Sequence, residues 1–241
     1  MLTAIKIIFL LGFLILIHES GHYFVAKLCK VRVNEFSIGF GPKLLSKKKN
    51  NTTYEVRLIP LGGFVNLEGE EELSDKEGSF CNASIPKKIA IVAAGGLVNI
   101  IFGLIVYFII LSVKYNSIGF GIESTLELLK ESFLGIIQLF TGKVSINDMT
   151  GPVGISSIVS QSSSLIEFIY LLGLISISLG ITNLLPFVPL DGGKIVIYLI
   201  EAIRKKPMKQ ETEAKIQTIG FALLMTLSII VTFNDIFKLV R

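Results

Sequence analysis

Three features of the sequence predict an α-helical polytopic membrane protein with about four transmembrane helices. Apolar residues make up 51% of the 241, and charged residues only 17%, a balance that a soluble domain of this size does not carry. The apolar residues gather into four long runs, each close to the roughly 20 residues needed to cross a bilayer. Lysine and arginine are rich in every second segment between those runs, the alternation expected of a multi-pass chain.

The first span is placed at 1–26. Ile7 to Ile17 is uninterrupted apolar sequence, and the run continues through His18, Glu19 and His22 to Ala26. A secretory signal peptide is the competing reading; no small-residue cleavage site follows the run, which argues against it. Residues 31–70 form a different kind of segment. Val33 to Phe40, Thr52 to Ile59 and Gly63 to Leu67 are rich in β-branched and aromatic residues, with Lys47 to Asn51 as a polar turn. Gly39-Phe40-Gly41-Pro42 and Pro60-Leu61-Gly62-Gly63 punctuate them. A small membrane-associated β-sheet or hairpin is expected, followed by a solvated acidic loop from Glu68 to Glu77.

The second span is placed at 86–113, where Ile89 to Val113 carries no charge. Residues 122–141 put Leu126, Leu129, Phe133 and Ile136 or Ile137 at helical spacing, which predicts an amphipathic helix on the membrane surface. The third span, 166–190, is broken near its end by Pro186 and Pro189 and leads into Asp191. The fourth is placed at 216–234. No internal repeat is visible, so 1–241 reads as a single membrane domain.

Residues 27–88 hold eleven Lys/Arg, 114–165 hold three and 191–215 hold six. That count predicts both termini outside, the amphipathic helix extracellular, and 27–88 and 191–215 in the cytoplasm. Cys29 and Cys81 do not make a disulfide framework and are expected as reduced thiols. Net charge is +4, but no basic patch with interleaved aromatics occurs, so nucleic acid is not an expected partner. The lipid bilayer is.

The chemistry concentrates in His18-Glu19-Ser20-Gly21-His22. Residues four apart share a helix face, so two imidazoles can hold one zinc ion. Glu19 beside them can take a proton from metal-bound water. These are the only two histidines in the chain, and they sit in an apolar run where ionisable groups are expensive. A catalytic zinc site needs a third protein ligand. Asp191, closing a proline-interrupted span, is the leading candidate, because irregular backbone at membrane depth survives only against protein or a wet cavity. A metal transporter would show inverted repeats or several polar spans, and neither is visible. A metallohydrolase acting on a non-peptide substrate is not separated from a peptidase by these residues.

These residues carry a resemblance. The chain is similar to the site-2 protease family, in its bacterial branch of regulator-cleaving intramembrane metalloproteases. The resemblance runs through His18 to His22, Phe36 to Pro42 (FSIGFGP), Ile59 to Val65 (IPLGGFV), Thr141 to Val144, Gly151 to Ile155, and Asn183 to Gly193. It implies one Zn2+ per chain on His18, His22 and Asp191, with Glu19 as the catalytic base. It implies that Asn183 helps hold the substrate backbone. It also implies that an extended substrate pairs with the β-region, loosely Tyr54 to Leu67, with Gly62, Gly63, Phe64 and Val65 at the edge. The function implied is an intramembrane zinc metalloendopeptidase of a bacterial plasma membrane, with its active site near the cytoplasmic side. Its substrates would be single-span transmembrane proteins or peptides, such as anti-sigma factors or signal-peptide remnants.

Two departures from the family pattern stand out. About 50 residues, 114–165, separate the second and third spans, too few for the family's usual PDZ domain beside an amphipathic helix; no PDZ domain is expected. Gly96 stands where many relatives have proline. Gly95, Asn99 and Gly103 form a small-or-polar stripe suited to close helix contact, and Asn99 reads either as core packing or as support for the site.

Overall fold

A computed structural model describes residues 2–240 except 71, 73, 144 and 146–148. Four of its helices are long and apolar enough to cross a membrane: α1 (Leu2–Leu28), α2 (Ile85–Lys114), α5 (Leu165–Asn183) and α7 (Gln210–Val240). Between α1 and α2 lie β1 (Val33–Lys49) and β2 (Thr52–Leu67); α3 (Ile118–Phe140) and α4 (Pro152–Gln161) lie between α2 and α5, and α6 (Asp191–Arg204) precedes α7. Among the described residues no strand falls between α2 and α5.

α2 carries Pro86 in its first turn, where the missing N–H costs nothing. It packs between α1 and α5, burying Ala94, Gly95, Gly96, Asn99 and Gly103. The Ser176 hydroxyl of α5 donates to the Asn99 carbonyl at 2.8 Å, tying the two helices together. α5 opens with a reciprocal Ser164–Glu167 capping box. It ends at Asn183, seven residues short of the 166–190 span expected from hydropathy. Pro186 and Pro189 explain the difference, since neither can donate to a helical ladder. Asp191 therefore does not close a membrane helix; it is the first residue of α6.

The two β-strands are bent and pair in three places, antiparallel in the hairpin 45–56 and between 35–38 and 63–66. Lys49 to Leu45 faces Thr52 to Val56, and Glu35 to Ile38 faces both Thr53 to Val56 and Asn66 to Gly63. The stretch 35–38 is thus central, with 63–67 and 43–49 as the two outer edges. The bends fall at Gly39, Gly41 and Gly62, each with positive φ, and Gly62 at +126° takes a conformation closed to most L-residues. Lys47 to Lys49 are strand, not turn: the turn is Asn50-Asn51 alone, both left-handed, the pair that suits a two-residue hairpin. The bend at 60–63 lies against the middle of α1, with the Pro60 carbonyl over Gly12 and Gly62 beside Ile15. Leu44, Leu45, Leu58 and Leu61 are exposed on this sheet, consistent with an apolar environment around it.

Glu68 departs from the solvated loop expected for 68–77. It is buried; its carboxylate accepts from Ser74 Oγ at 2.6 Å and from Lys76 Nζ at 3.2 Å. Those hydrogen bonds, Ser74 first, hold it down to about 2. Glu68 N–H donates to the Arg32 carbonyl and the Phe80 N–H donates to the Glu68 carbonyl, so the loop folds back onto the sheet. Phe80 enters a core with Ala26, Val33, Leu67, Ile91 and Tyr198 directly beneath the candidate site. Both cysteines are unpaired.

Candidate metal centre

His18, Glu19 and His22 lie in the second half of α1, and the two imidazoles, one turn apart, meet edge to face with ring centroids 4.7 Å apart. Their Nε2 atoms are 3.1 Å from each other. The Nδ1–H of His22 donates to the Ile91 carbonyl of α2 at 2.8 Å, which leaves the Nε2 lone pair free. Such outer hydrogen bonds orient metal-binding histidines. α2 approaches closely because residue 95 is glycine: a Cβ there would sit 2.4 Å from His22 Nε2 and 2.7 Å from His18 Cε1.

Asp191 completes the group from the opposite side of the sequence. Its Oδ2 lies 3.1 Å from His18 Nε2 and 3.4 Å from His22 Nε2. Despite those distances Oδ2 is buried without a hydrogen-bond partner. Neither imidazole is hydrogen-bonded to Asp191, and the three atoms lie close enough together to hold one ion. Tetrahedral coordination with bonds of roughly 2.0 Å places ligand atoms about 3.3 Å apart, and the three edges here are 3.1, 3.1 and 3.4 Å. The donor set fits a tetrahedral divalent cation with one position left over.

The centre opens into a cavity of about 770 Å3, lined by Glu19, Phe64, Val65, Leu67, Glu70 and Lys194 among others, a size suited to a ligand of several residues or a drug-sized molecule. Phe64 and Val65 line the same cavity as Glu19, so this edge of β2 faces the site. Among the described residues the 63–67 edge has no strand on its other side. Of the residues singled out from sequence, the structure brings together His18, Glu19, His22, Asp191, Phe64 and Val65. It does not put Gly62, Gly63 or Asn183 in that cavity wall. Gly62 packs against the Phe40 ring and Gly63 against the Ser37 carbonyl, while Asn183 ends α5 eight residues before Asp191.

One pair at the cavity was not foreseen. Lys194 Nζ and Glu70 Oε1 form an ion pair of 2.9 Å that joins the loop after β2 to α6. Burial pulls the Lys194 ammonium down, but Glu70 outweighs it and holds the group above its ordinary range. Lys194 stands one turn after Asp191 and so was reachable from helical spacing; Glu70, 124 positions away, carried no local signal.

Three clustered candidate ligand atoms and an adjacent carboxylate, among membrane-length helices, are the arrangement of a membrane metallohydrolase. The chain belongs to peptidase family M50, whose sequence model matches residues 6–227, and the resemblance to site-2 proteases is thereby established. A Clostridium perfringens relative is 30% identical over 319 aligned positions, covering 92% of this chain and 95% of its own. The Geobacillus kaustophilus protein named zinc metalloprotease RasP is 24% identical over 414 positions, 98% of each chain. The Bacillus subtilis protein named regulator of sigma-W protease RasP is 23% identical over 416 positions, covering 98% of this chain and 99% of its own. Those alignments are far longer than the 241 residues here, so these relatives carry segments without counterpart in this chain.

Proposed function

We propose that this membrane metallopeptidase is a zinc endopeptidase that cuts single-span membrane proteins or peptides at or inside the bilayer. One observation carries the reading: the triangle of His18 Nε2, His22 Nε2 and Asp191 Oδ2, with Glu19 alongside and a strand edge in the same cavity wall. His18, His22 and Asp191 would hold the ion. Zinc, when bound, supplies a Lewis acid and an activated water. Glu19 receives that water's proton and returns it to the leaving amine. Phe64 and Val65 offer main-chain groups to an extended substrate, since strand addition recognises backbone rather than particular side chains; Gly62 and Gly63 set the bend that aims this edge, and Asn183 helps hold the substrate backbone. A peptide bond inside a helix is shielded, so pairing at this edge also favours local unwinding.

The substrate class extends to anti-sigma factors and signal-peptide remnants, a reading supported by the name of the Bacillus subtilis relative. In the same reading both termini and α3 are external, and the active site lies toward the cytoplasm of a bacterial plasma membrane. The deciding experiment replaces Glu19 by Gln. Zinc should stay bound at about one ion per chain while cleavage of a membrane-embedded peptide falls by ~10²–10⁴-fold. Normal cleavage by this variant would remove Glu19 as the base. Cleavage of soluble but not membrane-embedded peptides would remove the substrate class.

A further inference from the structure

Asn99 lies near the middle of a membrane-length helix with no exposed surface. Neither Oδ1 nor Nδ2 of its side chain has a hydrogen-bond partner. An unpaired carboxamide is costly there, because lipid offers it nothing. The same is true of one atom at the metal centre: His18 Nδ1 is buried and without a partner. Among the described residues only five buried side-chain polar atoms stand unpaired, and four belong to His18, Asn99 and Asp191. Asp191 Oδ2 is accounted for by the ligand triangle. The remaining three are not.

The helix packing places these orphans in one seam. α2 runs against α1 in the opposite direction, with Ile91 at His22 and Gly95 at both His22 and His18. Asn99 is four residues beyond Gly95, so it presents the same face one turn further along. That turn is level with His18 and the residues before it. The two histidines therefore differ in their outer nitrogens. His22 is held by a main-chain carbonyl of α2, which any residue at 91 would supply. One turn on, no α2 carbonyl bonds His18 Nδ1, and that of Asn99 accepts from Ser176. The unpaired carboxamide of Asn99 is the side-chain acceptor that this turn of α2 offers.

We propose that Asn99 is a positioning residue for the metal centre, its carboxamide oxygen accepting the Nδ1–H of His18. This bond fixes the tautomer that leaves the lone pair on Nε2, and it holds the ring in the ligand triangle. It rests on the reading of His18 as a zinc ligand, and the test separates the two. Full-length protein in detergent is titrated with zinc against a chromophoric chelator, and the metal-free form is melted in parallel. Asn99→Leu keeps the volume and removes the acceptor. Its zinc affinity should fall 10–100-fold, the usual cost of losing an outer hydrogen bond to a ligand. Its metal-free melting temperature should not fall, because a buried unpaired amide has been replaced by an apolar group. Asn99→Asp keeps an acceptor and should bind zinc within about threefold of wild type.

Unchanged affinity in Asn99→Leu overturns the proposal. So does weakened affinity accompanied by a matching fall in metal-free melting temperature, which marks a packing role. Should Asn99→Leu not fold, NMR of [15N]histidine-labelled, zinc-loaded wild type and Asn99→Asp decides. The His18 Nδ1 proton moves downfield against the carboxylate if residue 99 is its acceptor, and a static resonance overturns the proposal. His18→Ala is the control: if it still binds zinc, the ligand assignment fails. If it loses zinc while Asn99→Leu does not, only the role of Asn99 fails.

Discussion

α2 and α7 are both long and apolar, yet 39% of the apolar stretch is buried in α2 and 11% in α7. The difference lies in side-chain size. α2 carries Gly95, Gly96 and Gly103 around Asn99, and small residues let helix backbones approach where lipid gives no hydrophobic incentive to associate. α7 presents Ile219, Phe221, Leu223 and Phe233 outward. It meets the rest of the molecule closely at Gly220, beside the Val188 carbonyl, and at Asp235, which accepts the Gly154 N–H at 2.8 Å. Apolarity thus marks a helix for the bilayer, while small residues decide which helix stands against the chemistry.

The sharpest way to break this comparison is at Gly95. In Gly95→Ala the new methyl would lie 2.4 Å from His22 Nε2. Zinc retention should be lost and turnover should fall by at least ~100-fold, as for a displaced reacting group; metal analysis and a peptide cleavage assay read both. A variant that keeps its zinc would show that α2 does not set the ligand geometry.

The next largest effect is expected at the strand edge. Val65→Pro removes the outward N–H of β2. Cleavage of a helical membrane substrate should drop about tenfold, the upper end for one lost hydrogen bond, with zinc still bound. A substrate already unwound by glycine or proline should lose less. Equal losses on both substrates would locate the effect at Glu19 rather than at substrate pairing.

α7 should respond in stability, not in chemistry. Asp235→Ala leaves the Gly154 N–H without its acceptor and should cost about 1–3 kcal/mol of folding stability. Metal affinity should be unchanged; a change in zinc binding would join α7 to the site. The smallest effect belongs to Phe221→Ala, on the exposed face of α7. Stability and turnover in detergent should stay within about 0.5 kcal/mol of wild type, and a larger shift in melting temperature would mean that this face is covered by protein.

Much of the architecture was legible because it is written in near neighbours. Hydropathy over some twenty residues marks a span, and a four-residue interval puts His18 and His22 on one helix face, whatever the rest of the chain does. Asp191 was reachable as a carboxylate out of place beside two prolines. Its position at the start of α6 was not, since hydropathy cannot separate a helix from an apolar turn. The β-region showed its strands and its glycine punctuation. That 35–38 would be central, with 63–67 turned toward Glu19, depends on a register chosen only when the bent strands close on each other.

What the sequence by itself determined is the set of membrane-length helices and the choice of candidate ligands, because periodicity and residue chemistry are local properties. What only the tertiary structure decided is how distant groups meet. The 3.1–3.4 Å triangle joins α1 to α6, the Glu70–Lys194 pair spans 124 positions, and the unpaired amide of Asn99 shares its seam with the unpaired nitrogen of His18. Such meetings arise from close packing of helices that glycine allows to touch, and no stretch of neighbouring residues encodes them.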